Sequence, residues 1–348
     1  MKIVITGGHI TPAIAFIEYS QKNHKSDELF LFGRTYSQSN RQQLAVEKQL
    51  AYELTVPFIP IEVPKYVSLL PWHVAIFVIS YLGSWMQAFK NLMNIKPSVL
   101  VSFGGYYAVP IVIAAWILRI PIITHEQTTT AGRANKLISF FAKTVAISFP
   151  SSAQLFPAKK TVVTGNPIRA ALTNPKPTKP SWFTNQSNIP IIYITGGNQG
   201  SHLINTVVKN ILRQLTKDYI VIHACGRATT TADYLQELQQ IARTLPSTHH
   251  ERYFVREWIS TDELAWILKN AHIAVSRAGA NTIQEFMQTC LPALLIPLPF
   301  SFQNEQALNA KIMTDSGGAV TVSQKEFTPE VALKTIKEMV TKNKSLRR

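Results

Sequence analysis

Cysteine and acidic residues are scarce in this chain of 348 residues, and no apolar run is long enough to cross a bilayer. The two cysteines, Cys225 and Cys290, stand among apolar residues without a CxxC partner. We therefore expect two buried thiols and neither a disulfide framework nor a zinc site. No Walker A string occurs, and His125-Glu126 lacks a second histidine at helical spacing, which argues against a P-loop enzyme and a zinc protease.

The 20 acidic residues are outnumbered by 35 lysines and arginines, and the net charge of +15 is spread over both halves of the chain. Such a basic protein favours nucleic acid, an anionic membrane surface or a phosphorylated substrate as its partner. No recognition-helix signature, zinc finger or basic run interleaved with aromatics occurs, so we expect no nucleic-acid partner. Because the first apolar strand begins at Ile3, no room remains for a signal peptide, and we expect no export by that route.

The most apolar stretch covers residues 69–89. Its uninterrupted part, Val74–Ile79, is far shorter than the roughly 20 residues that a spanning helix needs. Trp72, Tyr81 and Trp85 are residue types favoured at lipid interfaces, and lysines flank the stretch. We predict that this segment docks peripherally on an anionic membrane surface; the alternative is a buried core helix.

Strands and helices are predicted to alternate along the whole chain. The apolar runs predict strands at Ile3–Thr6, Leu29–Phe32, Ser98–Ser102, Pro121–Thr124, Val145–Ser148, Thr161–Thr164, Ile191–Thr195, Tyr219–Ala224, Tyr253–Val255, Ile273–Val275 and Pro292–Pro297. Helices are predicted at Thr11–Lys22, Val109–Leu118 and Thr328–Lys342, from Ser201, from Ala232 and after Ala280. The alternation predicts an α/β fold with doubly wound parallel sheets in two domains of about 150 residues each. The proline-rich residues 174–181 predict a stiff linker or surface loop that marks the junction between these domains.

Glycine loops follow two of the predicted strands. Thr6-Gly7-Gly8-His9 comes directly after the first strand, and Gly196-Gly-Asn-Gln-Gly200 comes after Ile191–Thr195. A buried strand that ends in glycines leaves backbone N–H groups to face a ligand at the carboxyl edge of the sheet. The loops therefore predict two nucleotide-type domains, although the first loop alone also fits a tight turn with a surface histidine.

A third loop, Ser276–Glu285, turns through Gly279 and begins a helix whose N–H groups can face a diphosphate. Glu285, one or two turns into that helix, is placed to accept both hydroxyls of a ribose, as acidic residues do in dinucleotide sites. The alternative is a solvated glutamate on the helix surface.

Seven strings along the chain form an ordered series. They are Val101–Tyr107, Ile120–Gln127, Ala131–Lys136, Gly165–Arg169, Gly196–Gly200, Ser276–Glu285 and Gln306–Ala310. In order and spacing the series resembles the MurG family, the UDP-N-acetylglucosamine–N-acetylmuramyl-(pentapeptide) pyrophosphoryl-undecaprenol N-acetylglucosamine transferases, which make lipid II from lipid I. The resemblance extends from Thr6 to about Val320.

The resemblance implies a GT-B fold, in which two Rossmann-like parallel-sheet domains face each other across a cleft. It assigns residues 1–168 to an acceptor and membrane-side domain, 169–327 to a UDP-sugar-binding domain, and 328–348 to a C-terminal helix that returns to the first domain. It also implies inverting transfer of N-acetylglucosamine to the C4 hydroxyl of lipid I at the cytoplasmic face of the cell membrane. No Asp-x-Asp string occurs, so we expect no metal and no cofactor, and a diphosphate held by helix N-termini and a cation.

Carried over by motif, the resemblance implies three groups of site residues. The catalytic group is His9, as general base or orienting group, with Thr6, Gln127 and Thr128. The donor group, for UDP-N-acetylglucosamine, is Arg169, Gly196, Gly197, Asn198, Gln199, Gly200, Ile259, Arg277, Gly279, Ala280, Thr282, Glu285 and Gln306. Within it, Glu285 holds the ribose, a backbone group near Ile259 reads the uracil edge, and Gln306 holds sugar hydroxyls. The acceptor group, for lipid I, is Gly7, Gly8, Gly104, Gly105, Tyr106 and Asn135.

The chain departs from the family pattern at several positions. Thr128 stands where asparagine is usual, Glu305 where glutamine or histidine is usual, and Asn198 where serine is usual, and the glycine-rich opening is shorter. Two alternatives to the family's activity therefore remain open. One is a related transferase for another lipid or sugar acceptor, and the other is a catalytically silent scaffold at the cell-wall machinery.

Overall fold

The computed structural model describes residues 1–8, 10–36, 44–64, 71–185, 187–197, 200–226 and 233–346. The chain divides into two compact units, Met1–Ala170 and Ala171–Arg348, which we call the first and second domains. The predicted boundary after residue 168 lies next to this division.

The first domain alternates strands and helices throughout. Its elements are β1 (Lys2–Thr6), α1 (Ile10–Asn23), β2 (Glu28–Gly33), α2 (Val46–Glu53), β3 (Phe58–Pro60), α3 (Pro71–Ile95), β4 (Val99–Ser102), α4 (Ala108–Ile117), β5 (Ile122–Glu126), α5 (Arg133–Phe141), β6 (Thr144–Ile147), β7 (Thr161–Val163) and, across the division, α6 (Ala170–Thr173). The strands form one parallel sheet in the order β3-β2-β1-β4-β5-β6-β7.

Helices cover both faces of this sheet, which is why its strands are continuous apolar runs. Neighbouring residues of β1 point to opposite faces: Val4 packs with residues of α3, α4 and α5, and Ile5 packs with residues of α1 and α2. The strand order reverses between β1 and β4. In such sheets the ligand crevice lies beyond the carboxyl ends of the two strands at the reversal.

The second domain repeats this plan. Its elements are β8 (Ile191–Thr195), α7 (His202–Asp218), β9 (Ile220–Ala224), α8 (Tyr234–Arg243), α9 (Ser247–His250), β10 (Tyr253–Arg256), α10 (Thr261–Asn270), β11 (Ile273–Ser276), α11 (Ala280–Gln288), β12 (Ala293–Leu295), α12 (Glu305–Asp315), β13 (Ala319–Thr321) and α13 (Pro329–Leu346). The sheet is parallel in the order β10-β9-β8-β11-β12-β13, so its reversal lies between β8 and β11. The predicted helix start at Ala232 lies outside the described residues, and α8 begins at Tyr234.

Helix α13 packs on α7 in the core of the second domain. Ala332, Ile336 and Met339 supply its buried face. The return of residues 328–348 to the first domain stays a prediction.

The proline-rich residues 174–181 form the predicted surface loop and not a linker, because they belong to the second domain and begin just after the division at Ala170–Ala171. The ammonium group of Lys269 donates to the carbonyl of Asn174, and the aromatic residues that follow the prolines pack on Phe254 of β10. Prolines are common both in stiff surface segments and in linkers. Here the ring contacts with Phe254 attach the segment to the second domain. We call residues 174–185 the aromatic arm.

Helix α3 contains most of the apolar stretch predicted to dock on a membrane. Trp85 packs against the core of the first domain and its indole Nε1 is buried, so the prediction that Trp85 faces lipid is wrong. Ile76, Ile79 and Met86 of the same helix are exposed. No helix among the described residues is long and apolar enough to cross a membrane.

The two cysteines differ in burial. Cys225, after β9, is buried as expected. The same expectation is wrong for Cys290, which is exposed at a left-handed position with φ of 49°, just past the end of α11. Its apolar neighbours, not its own side chain, enter the core.

A buried histidine forms a polar network in the second domain. Nδ1 of His223 lies 3.0 Å from the Tyr253 hydroxyl, and Nε2 lies 3.0 Å from Oδ1 of Asn205. Asn205 in turn donates to the carbonyl of Cys225, at 2.9 Å. Burial lowers the pKa of His223 from 6.5 to about 3, so the imidazole is neutral at physiological pH.

This network predicts a pH dependence of stability. The unfolded chain protonates His223 near pH 6.5 and the folded chain only near pH 3, so the stabilisation is complete above pH 6.5 and falls as the pH is lowered from there. At about 1.4 kcal/mol per pH unit, we expect His223 to cost about 2 kcal/mol of the free energy of unfolding at pH 5. Chemical denaturation of wild type and His223→Gln at pH 7 and pH 5 measures the contribution of His223 to the free energy of unfolding.

The free energy by which wild type is more stable than His223→Gln is expected to be about 2 kcal/mol smaller at pH 5 than at pH 7. His24→Gln, which changes an exposed imidazole, is the control: its difference from wild type in unfolding free energy should be the same at pH 7 and pH 5. An advantage that is equal at both pH values would contradict a neutral buried His223.

Candidate functional site

A glycine loop follows β8 in the second domain and leads into α7. A Cβ on Gly196 would lie 2.1 Å from the backbone N of Ser201, and a Cβ on Gly200 would lie 2.3 Å from the carbonyl O of Cys225. Gly197 has φ of +79° and open space where a Cβ would stand. The loop therefore needs glycine to close, and a ligand can approach its backbone at Gly197.

Arg277, just after β11, ties this loop to the end of β12. Its Nε donates to the Ser201 hydroxyl at 3.1 Å, and its Nη1 donates to the carbonyl of Ile296 at 3.1 Å. Burial lowers the pKa of Arg277, but a guanidinium stays charged at neutral pH. A fixed positive charge therefore stands where β8, β11 and β12 end.

Helix α11 begins at the same edge of the sheet. Gly279 caps it without a side-chain hydrogen bond, and the first backbone bond runs from Ile283 N to Gly279 O. The helix itself does not use the N–H groups of Ala280 and Thr282, and the positive end of its dipole favours an anion there. Glu285 follows on α11 and is half-buried.

Gln306 lies in the first turn of α12. Its Oε1 accepts from the backbone N of Leu298 at 2.9 Å, so the Nε2 group is the part of this side chain that can donate to a sugar hydroxyl. One turn later, Nδ2 of Asn309 donates to the carbonyl of Ala278 at 3.1 Å. This bond joins α12 to the loop after β11. Because α11 begins directly after that loop, the bond fixes Gln306 relative to the start of α11.

The loop after β10 contains Ile259, whose side chain is buried. The next residue, Ser260, caps α10: its backbone N and its hydroxyl each donate to Oε2 of Glu263 at 2.9 Å. Within the described parts of the chain, no group pairs with the backbone N–H or C=O of Ile259. An N–H donor beside a C=O acceptor matches the uracil imide, in which O4 accepts and N3–H donates.

The loops after β1 and β4 meet backbone to backbone in the first domain. A Cβ on Gly8 would lie 1.9 Å from the carbonyl O of Gly104, and a Cβ on Gly105 would lie 2.9 Å from the Cα of Gly8. Gly104 and Gly105 also have φ of +79° and +84°. The strand reversal of the first sheet is therefore lined by glycine backbone that no larger residue can replace.

Glu126, at the end of β5, is a buried residue whose role sequence reasoning missed. Its Oε1 accepts from the backbone N and hydroxyl of Thr128, at 3.1 and 2.9 Å, and its Oε2 accepts from Gly132 N and Asn135 Nδ2, at 3.1 and 2.9 Å. Thr128 thus fixes this carboxylate although it replaces the family's asparagine. The signal in the sequence was a carboxylate two residues after the predicted strand Pro121–Thr124.

The buried oxygen atoms of this domain without a hydrogen-bond partner among the described residues include Oε1 of Gln127 and Oγ1 of Thr6. The Gln127 amide is held in place, because its Nε2 donates to Nδ1 of His125 at 3.0 Å while the His125 Nε2 donates to the carbonyl of Gly165 at 2.9 Å. Unpaired buried polar atoms are costly unless a ligand or water meets them. Both residues belong to the predicted catalytic group.

The structure thus brings several of the predicted residues together within each domain. Asn135 lies against Gly104, and Tyr106 packs edge-on against Tyr107 with ring centroids 6.5 Å apart. Arg169 belongs to the first domain, next to Ala170, whose N–H donates to Glu18 at 2.9 Å. His9, Asn198 and Gln199 lie outside the described residues. The roles of all these residues stay predictions.

Comparison with known proteins follows the same two-domain division. Residues 4–147 match the profile of the glycosyltransferase family 28 N-terminal domain, and residues 191–348 match that of the glycosyltransferase family 28 C-terminal domain. Together the two profiles span nearly the whole chain.

Similar proteins are found among curated sequences and solved structures. The chain is 32% identical over 344 residues to the UDP-N-acetylglucosamine–N-acetylmuramyl-(pentapeptide) pyrophosphoryl-undecaprenol N-acetylglucosamine transferase of Clostridium perfringens, covering 97% of this chain and 90% of the relative. It is 30% identical over 353 residues to a transferase of the same name, numbered 3, from Bacillus thuringiensis, with 99% and 93% covered. The crystal structure of MurG from Acinetobacter baumannii is 25% identical with a TM-score of 0.67, covering 100% of this chain and 95% of that one. The predicted GT-B fold class, with two Rossmann-like parallel-sheet domains, is confirmed.

Proposed function

The chain belongs to glycosyltransferase family 28, and from this premise we propose that it transfers N-acetylglucosamine from UDP-N-acetylglucosamine to the C4 hydroxyl of lipid I. The transfer inverts the anomeric carbon and gives the β-1,4 link of lipid II, a precursor of peptidoglycan. One observation carries the proposal from geometry: Arg277 joins the open glycine loop after β8 to the end of β12, next to the N-terminus of α11. This arrangement suits a sugar diphosphate.

The leaving group is UDP, so negative charge develops on its β-phosphate as the bond to C1 breaks. The first-turn N–H groups of α11 and the charge of Arg277 stabilise that charge without a metal. Ile259 holds the uracil, Glu285 the ribose hydroxyls and Gln306 the sugar hydroxyls. These contacts fix the anomeric carbon in place for attack.

The first domain presents the acceptor. The contact of Gly8 with Gly104 brings the loops after β1 and β4 together at the strand reversal, where the diphosphate of lipid I binds, and the network around Glu126 fixes the loop that carries Gln127 and Thr128. His9 acts as the base that takes the proton from the C4 hydroxyl, or orients that hydroxyl.

Transfer of label from UDP-N-acetylglucosamine to a short-chain lipid I analogue, with EDTA present, tests the proposal. We expect transfer at an undiminished rate. Labelling only of a different lipid or sugar acceptor would indicate the related transferase. No turnover by a folded protein would indicate the scaffold.

Glu285→Ala tests the donor half. If the carboxylate accepts two charge-assisted hydrogen bonds from the ribose, the variant should bind UDP more weakly by roughly 1.5–3 kcal/mol while remaining folded. Calorimetry measures this difference.

Two controls sharpen that measurement. Glu338→Ala removes an exposed carboxylate from α13 of the same domain and should leave UDP affinity unchanged. A UDP analogue without ribose hydroxyls should bind wild type and Glu285→Ala alike. If Glu285→Ala binds UDP as wild type does, Glu285 does not hold the ribose.

Membrane docking belongs to the same proposal, because the polyprenyl tail of lipid I stays in the bilayer. Helices α3, α4 and α5 lie side by side on one face of the first sheet, and each exposes large apolar side chains. These side chains are Ile76, Ile79, Leu82 and Met86 of α3, Trp116 and Ile117 of α4, and Leu137 and Phe140 of α5. Exposed Arg119, Arg133 and Lys143 add positive charge beside them. An apolar patch with basic neighbours suits peripheral binding to the anionic cytoplasmic leaflet.

The double variant Ile79→Ser/Met86→Ser should bind anionic liposomes about tenfold or more weakly, because each side chain loses about 1 kcal/mol or more of apolar burial in the bilayer. Liposome sedimentation measures the binding. Tyr19→Ser, an exposed change on α1 at the opposite face of the sheet, is the matched control. Equal binding by the double variant and Tyr19→Ser would place the docking surface elsewhere.

A further inference from the structure

The aromatic arm is anchored in the second domain by stacked rings. The Phe183 ring lies 4.9 Å from those of Phe254 and Trp266, and the Trp182 ring lies 5.9 Å from Phe254, between ring centroids. Phe254 belongs to β10 and Trp266 to α10. The arm therefore contacts the two elements that flank the loop containing Ile259.

Trp182 reaches that loop through a carboxylate. Its Nε1 donates to Oε1 of Glu263 at 2.6 Å, while Oε2 of Glu263 accepts from the backbone N and hydroxyl of Ser260, each at 2.9 Å. Burial acts to raise the pKa of Glu263, but the hydrogen bonds from Ser260 and Trp182 outweigh it and lower the pKa. Glu263 is thus a charged bridge from Trp182 to the residue directly after Ile259.

Trp182 also contacts the other end of the loop. The guanidinium carbon of Arg256 lies 4.8 Å from the centre of the Trp182 ring, a cation–π arrangement. The carbonyl of Arg256 accepts from the backbone N of Cys225 at 2.9 Å. The last residue of β10 is therefore fixed both to the sheet and to Trp182, three positions before Ile259.

We infer that Trp182 is a positioning residue for nucleobase recognition, holding the backbone of Ile259 from both sides through Arg256 and through Glu263. The inference rests on the proposed function and deepens it, because it assigns the preference for uracil. Cytosine presents an acceptor at N3 and a donor at N4, the reverse of the uracil imide. A fixed N–H and C=O at Ile259 therefore accept uracil and reject cytosine, and a loosened loop discriminates less.

Trp182→Phe keeps an aromatic ring but removes the N–H that binds Glu263, together with the five-membered part of the indole. We expect UDP affinity to fall about fivefold to tenfold, with affinities for CDP and inorganic diphosphate within about twofold of wild type. Calorimetry with these three ligands gives the ratio of the UDP affinity to the CDP affinity. This UDP-to-CDP ratio should fall, because the UDP affinity falls and the CDP affinity does not. A merely structural defect would lower the diphosphate affinity or the melting temperature as well.

Trp266→Phe is the matched control, because it removes an indole N–H from the same ring cluster without touching Glu263. Glu263→Gln is a second variant that reaches the loop without altering the rings; it should lower the UDP-to-CDP ratio to a similar degree. If wild type prefers UDP and both Trp182→Phe and Glu263→Gln keep that preference, the inference is overturned while the proposed function stands. If wild type binds UDP no better than CDP, the donor assignment and the inference both fall.

Discussion

His9→Ala is expected to lower kcat for transfer by about 10²–10⁴-fold, the usual contribution of a positioned general base. UDP affinity should change far less, because the donor contacts proposed above lie on the second domain. A kcat loss without a matching binding loss identifies a group that acts in the transition state. Steady-state kinetics with saturating donor, together with calorimetry on the same variant, measures both quantities.

His24→Ala is the natural control, since it removes an exposed imidazole from the same domain. If His9→Ala keeps kcat within about threefold of wild type, below the general-base range, His9 is a turn residue only. That result would also favour the scaffold alternative.

Gly8→Ala is expected to abolish most transfer through backbone geometry alone. Its Cβ would lie 1.9 Å from the carbonyl O of Gly104, which a real structure does not tolerate, so the loops after β1 and β4 must separate. Overpacking of this kind costs about 2–3 kcal/mol of the free energy of unfolding. Displacing the acceptor by about 1 Å costs on the order of 100-fold in rate. Transfer kinetics and thermal unfolding measure the two effects.

Gly83→Ala provides a matched glycine in the same domain, because nothing lies within 4 Å of its Cβ position. It should keep wild-type stability and transfer. UDP affinity of Gly8→Ala should stay near that of wild type. Unchanged transfer by Gly8→Ala would show that the glycine contact does not shape the acceptor site.

The two sheets could be predicted from the sequence because buried parallel strands are continuous apolar runs. Ile3–Thr6 and Ile191–Thr195 are such runs, and each is a strand with ends within a residue of the prediction. The short strands β3 and β13 escaped prediction because residues typical of loops surround them: β3 follows Pro57 and ends in Pro60, and β13 follows Gly317-Gly318. Helix α10 could have been found, because Ser260 and Glu263 have the spacing of a capping box.

The error at Trp85 has a simple physical origin. Tryptophan was interpreted by residue type, as a lipid-interface residue, although Trp85, Ala88, Phe89 and Leu92 follow the spacing of a helix face that packs on a core. The large apolar side chains that α3 exposes, among them Ile76, Ile79 and Met86, lie on another face. Spacing, more than composition, decides which side of an amphipathic helix is buried.

The candidate site was predictable where a glycine loop follows a strand, and less so where side chains support the loops. Glu126 acts through Asn135, which belongs to another of the seven strings, and Trp182 acts through Glu263, which lies outside them. Such pairings depend on the folded arrangement of the strands. No spacing rule in the chain connects Trp182 with Glu263, 81 residues away.

The central claim is tested most directly by the structure of the product. Wild-type protein is incubated with UDP-N-acetylglucosamine and a short-chain lipid I analogue in EDTA, and the lipid product is identified by mass spectrometry and NMR spectroscopy. We predict one added N-acetylglucosamine, linked β-1,4 to the muramyl sugar, with one UDP released for each product formed. An α-linked product, UDP release without transfer, or transfer only to another acceptor would contradict the account.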